Sequence, residues 1–75
     1  MDRKEASDKV LEHSEELGRW APLVASRMRR LRKLKERKAP RYIIVNEEEL
    51  ATRAIVKTTE HYEELMEAIR VLANT

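Results

Sequence analysis

Eight of the twelve residues from Arg27 to Lys38 are basic and only Glu36 is acidic. On a helix, arginines spaced this densely can contact phosphates along a groove, and the release of counterions then drives binding. Arg27, Arg29, Arg30, Arg32, Lys33, Lys35, Arg37 and Lys38 are therefore the candidate nucleic-acid-contacting residues. The plainer alternative is a solvated helix face neutralised by the chain's own acids or by an acidic partner. Metal chemistry has less to work with. His13 precedes Glu16, and His61 precedes Glu64, each by three residues, so each pair would share a helix face. Carboxylate-bridged metal bundles place the Glu before the His, the reverse of this order. Ser7, Ser14 and Ser26 have no histidine at a telling spacing, and the acid clusters 47–49 and 63–64 read as helix-start and solvent-facing charge. No catalytic residue, metal site or cofactor is expected, and the chain reads as non-enzymatic.

The charge is strongly segregated along the chain. Residues 1–18 hold six acids and three bases, residues 19–41 ten bases and one acid, and residues 42–75 seven acids and three bases. Such asymmetry bears on partners and association rather than on fold. The only aromatics, Trp20, Tyr42 and Tyr62, lie far apart, so the stacking platforms of single-strand binders are missing. Any nucleic-acid contact is thus expected to be mainly with backbone phosphates and weakly sequence-specific. Trp20 reads as a core anchor.

The elements that must position these residues are mostly helical. Ala6, Val10, Ser14 and Leu17 recur at helical spacing, with Leu11 widening the stripe, and predict an acidic helix over residues 5–17. Gly18 is a candidate terminator and Pro22 a favourable first-turn residue. Together they predict a second, basic helix over 22–38, with one bent helix as the alternative. Pro40 closes it. Residues 41–45, aromatic and β-branched behind a proline, predict a short extended segment that would pair with residues 54–57 or with a second copy. Asn46 with Glu49 three residues on has the form of a capping box opening an acidic amphipathic helix over 47–73. A break near Thr58 is the competing possibility, since Val56-Lys57-Thr58-Thr59 is β-branched.

Seventy-five residues make one small domain, and only 23 large apolar side chains remain once the eight alanines are set aside. A chain of this size buries about 60% of its unfolded surface, so self-association is the natural way to enlarge its core. Ile55, Tyr62 and Ile69, together with Leu65 and Leu72, recur in sevens and predict a dimer seam, with Tyr42 and Ile44 paired across the two-fold axis. The absence of cysteine removes disulfides, thiolate zinc sites and thiol nucleophiles, and one glycine cannot form a phosphate-binding loop. The longest apolar run is four residues, so no membrane association is expected and a cytoplasmic location is the simplest.

Two short stretches resemble known families. Ile43-Ile44-Val45-Asn46-Glu47-Glu48-Glu49-Leu50, followed by Glu64-Leu65-Met66-Glu67-Ala68-Ile69-Arg70, resembles a ribbon-helix-helix DNA-binding dimer. That resemblance implies a strand paired across the dimer and inserted into the major groove, followed by two helices. Ala25-Ser26-Arg27-Met28-Arg29-Arg30-Leu31 is similar, over seven residues, to the arginine-rich helix of the omega-type small subunit of RNA polymerase. The reading as a whole is a mainly α chain: two N-terminal helices, an extended segment and a long C-terminal helix, expected to form a homodimer. Its expected partner is nucleic acid, or alternatively an acidic protein.

Overall fold

The computed structural model describes residues 1–74 and consists of two antiparallel helices, α1 (Arg3–Glu36) and α2 (Arg41–Ala73), joined by a four-residue turn. Asp2 caps α1: its carboxylate accepts the Glu5 amide at 2.7 Å. α1 ends in a paired-bond cap in which the Ala39 amide reaches the Leu34 carbonyl and the Lys38 amide the Lys35 carbonyl. That cap places Lys38 at φ 55°, a left-handed conformation that favours glycine. Lys38→Gly should therefore stabilise the hairpin by about 0.5–1 kcal/mol, raising the midpoint of a urea melt with an unchanged slope. Pro40, at φ −54° and ψ 145°, turns the chain into α2 without a side-chain cap, and α2 has no acid in its first turn.

The architecture corrects several expectations. The two N-terminal helices over 5–17 and 22–38 are one helix that passes through both Gly18 and Pro22. The extended segment at 41–45 is the first turn of α2, and among the described residues there is no strand. Asn46 therefore sits inside a helix instead of capping one, and α2 runs unbroken from Arg41, six residues before the expected start. Thr58 causes no break, because its hydroxyl donates to the Ala54 carbonyl at 2.8 Å and remains compatible with helix.

One cause explains all of these departures. On α1 the covered positions include a stripe of Ala6, Val10, His13, Leu17, Trp20, Val24, Arg27, Leu31 and Leu34, alternating steps of four and three residues, flanked by half-covered Lys9 and Glu16. On α2 the matching stripe is Ile44, Glu47, Ala51, Ala54, Thr58, His61, Leu65, Ala68 and Leu72, in the same alternation, flanked by half-covered Ile43, Leu50 and Val71. These are the a and d positions of a heptad seam, in phase through Gly18, Pro22 and the β-branched start of α2. An interior proline costs ~3 kcal/mol and a glycine ~1 kcal/mol, whereas packing along the whole seam offsets both. A lone strand at 41–45 would leave its backbone groups unpaired, while a helix pairs them and half-buries Ile43 and Ile44. The hairpin is 54 Å long, close to the ~51 Å expected of a straight 34-residue helix, so Pro22 does not fold the rod.

Candidate functional site

The register of the hairpin follows from two cross-helix contacts. Arg27 meets Glu47, and His13 meets His61, so residue n faces residue 74 − n at both places. This pairing sets the loop-end half of the molecule, residues 19–56, apart from the open end. The loop-end half carries eleven bases and four acids, whereas residues 1–18 and 57–75 carry five bases and ten acids. The folded hairpin is thus a rod with a basic end and an acidic end, a polarity produced by the fold-back of the chain.

The basic block divides around α1. Arg27 takes a d position in the seam and donates to Glu47 Oε1 at 3.2 Å. Arg30, on the flank, reaches Glu47 Oε2 at 3.4 Å. The Glu47 side chain is 5% exposed, so this carboxylate is held between two arginines whose side chains are 37% and 65% exposed. Arg29, Arg32, Lys33, Lys35, Arg37 and Lys38 are exposed and form no ion pair among the described residues. Arg29, Lys33 and Arg37 recur every four residues and line one shallow recess with Ser26, Arg30 and Leu34. Arg32 and Lys35 lie on another side, beside Met28 and Leu31. The block is therefore a three-cation row with ~6 Å rise between members, plus a second pair around the helix.

The expected dimer residues also separate. Ile44, Leu65 and Leu72 are half-buried in the intramolecular seam, while Ile55, Tyr62 and Ile69 stay 41–54% exposed and Tyr42 75% exposed. With 41–45 helical, strand pairing of Tyr42 and Ile44 across a two-fold axis does not arise.

The histidines meet in a way the spacing did not suggest. His13 Nδ1 and His61 Nδ1 are 2.9 Å apart across the seam, with ring centroids 5.1 Å apart. One ring must be neutral at Nδ1 to accept the other's proton. Glu16 Oε2 lies 3.9 Å from His61 Nε2, so a proton there would have a counter-charge. Among the described residues no group of three or more His, Asp or Glu side chains could hold a metal ion, and no helix is long and apolar enough to cross a membrane. Glu47 is the residue sequence reasoning missed as a functional partner of the basic block. The available signal was its d-position phase with Ala51 and Ala54, hidden by the capping-box reading of Asn46. No family model, curated protein or solved structure matches the chain, so this geometry is what its function must be argued from.

Proposed function

We propose that the chain is a non-enzymatic nucleic-acid-binding protein that contacts backbone phosphates through the outer face of α1 at the loop end of the hairpin. The observation that carries this reading is the row Arg29, Lys33, Arg37: exposed, on one face, and without ion pairs among the described residues while Arg27 and Arg30 neutralise Glu47. Internal neutralisation accounts for two of the eight block cations and leaves six facing solvent. Lys33 and Lys35 also complement the carbonyl end of the α1 dipole, which is a modest contribution in the last turn and does not call for arginines outside it.

Fluorescence anisotropy with labelled duplex DNA, single-stranded DNA and RNA at two salt concentrations tests the proposal. Replacing Arg29, Lys33 and Arg37 with Ala should weaken binding at least tenfold at low salt. It should also flatten the log–log salt slope on duplex DNA by about 2–3. None of the three touches Glu47, so the thermal melt should stay within about 0.5 kcal/mol of the parent. Absence of binding to all three probes at low salt would overturn the reading. The exposed cations would then be assigned to an acidic protein surface.

A further inference from the structure

The seam leaves one long face of the hairpin uncovered. In an antiparallel helix pair the e and b positions of both helices lie on the same flank, opposite the g and c positions. Between residues 7 and 28 of α1 and 45 and 73 of α2, that flank has sixteen e and b positions. Only Glu48 among them is charged, while Lys4, Arg32 and Lys35 occupy the same positions beyond that span of α1. In a chain that is 40% charged, about six would be expected. The opposite flank, counted over 5–33 and 43–71, holds twelve charges in eighteen positions. α2 gives the uncharged face its bulk: Ile55, Tyr62, Met66 and Ile69, all 39–54% exposed. α1 supplies small residues at the middle of its length: Ser14, Gly18, Ala21 and Ala25.

We propose that a second copy of this chain covers this face, antiparallel to the first, to form a four-helix bundle with α1 against α1 and α2 against α2. Three quantities support this occupant. The core of one hairpin is thin: its buried apolar residues are four alanines and Leu31, and no large side chain is fully buried. The hairpin exposes 5794 Å², whereas a compact monomer of 8.9 kDa exposes about 4,800 Å², an excess of roughly 1,000 Å². The uncovered face, 54 Å by 15 Å, projects roughly 800 Å², which is what each partner contributes to an interface of standard size.

Charge selects the orientation. A copy placed with both loop ends together would stack a half with eleven bases and four acids on another like it. Reversing the copy lays the basic end of each chain over the acidic end of the other. The basic loop-end half of α1 then lies over the N-terminal turns of the partner's α1, at its acidic end. The two-fold axis passes near the midpoint of α1, where Gly18 faces its own counterpart and the small residues allow close approach. Arg29, Lys33 and Arg37 lie outside this flank, so the bundle presents two basic rows at opposite ends. The association does not depend on the phosphate-binding proposal.

Sedimentation equilibrium at high micromolar concentration should give twice the 8.9 kDa chain mass. Arg37→Cys in this cysteine-free chain takes a single spin label, and pulsed electron resonance should read roughly 50 Å between copies, set by the 54 Å rod. A distance below ~20 Å would mean loop ends together and would overturn the orientation, because neighbouring helix axes lie only 8–10 Å apart. Gly18→Glu puts two carboxylates face to face on the axis and should weaken the dimer at least tenfold. In a lone hairpin a side chain at Gly18 meets nothing within 4 Å and glutamate favours helix, so the variant cannot fail for local steric reasons. A monomeric parent, or a Gly18→Glu variant that dimerises as tightly as the parent, would overturn the proposal.

Discussion

Arg27→Ala should destabilise the protein by about 2–3 kcal/mol, lowering the melting temperature by roughly 10–20 °C. The variant leaves the Glu47 carboxylate 5% exposed with one remaining partner, Arg30, which is itself 65% exposed and holds its charge mostly in solvent. Truncating one member of a buried pair costs more than the pair contributes, since the other charge stays desolvated. The paired replacement Arg27→Leu with Glu47→Leu should accordingly match or exceed the parent in stability. It fills two d positions of the seam with side chains that need no counter-charge. What the double variant loses is register. A slip of one heptad would set Glu47 opposite Trp20 or Leu34 instead of Arg27, so the ion pair penalises every alignment but one. Chemical denaturation of the parent, the single and the double variant reads the stabilities. A single variant that melts with the parent would show that Glu47 is solvated and contributes no such constraint.

Pro22→Ala should move stability the other way, by about 2 kcal/mol, raising the melting temperature by roughly 8–16 °C. Proline at this point has no amide to donate to the Gly18 carbonyl, and its ring crowds that carbonyl. Alanine restores the bond at an exposed position. The gain is less than the full ~3 kcal/mol propensity difference, because proline also restricts the unfolded chain. A melting temperature that falls in this variant would mean that the proline ring is a packing element, contrary to its exposure. The proline persists in the middle of a 34-residue helix because α2 packs along the seam before and after it, at Leu17, Trp20, Val24 and Arg27. The same neighbour holds Gly18 helical.

Much of this protein was legible in the sequence. The alternating apolar spacing, the single basic block and the acidic flanks are visible without coordinates, and they establish a helical chain that lacks thiol chemistry and phosphate loops. Sequence reasoning also found helical periodicity over 47–73, in a region where α2 is unbroken. It divided the N-terminal half at Gly18 and Pro22, and it made 41–45 extended, because local preferences at those positions point that way. Those preferences are worth tenths of a kcal/mol per residue, with proline the exception. The partner stripe that outweighs them lies 48 residues away at the His13–His61 contact and 20 away at Arg27–Glu47.

The choice between two neighbouring stripes on α2 shows the limit most clearly. Ile55, Tyr62, Met66 and Ile69 form the more apolar of the two, and sequence reasoning took three of them as the principal seam. The hairpin instead turns inward the stripe of Ile44, Glu47, three alanines, Thr58, His61, Leu65 and Leu72, so Ile44, Leu65 and Leu72 of the expected dimer seam face α1. Residue spacing, charge order and composition alone determined that the chain would be helical, charge-segregated and short of core. Only the tertiary structure decided which stripe faces inward, because that depends on what α1 offers across the seam: Arg27 for Glu47, His13 for His61, and Trp20 opposite the small Ala54. Apolarity is a property of one stripe, whereas complementarity is a property of two, and it exists only once the chain has folded back on itself.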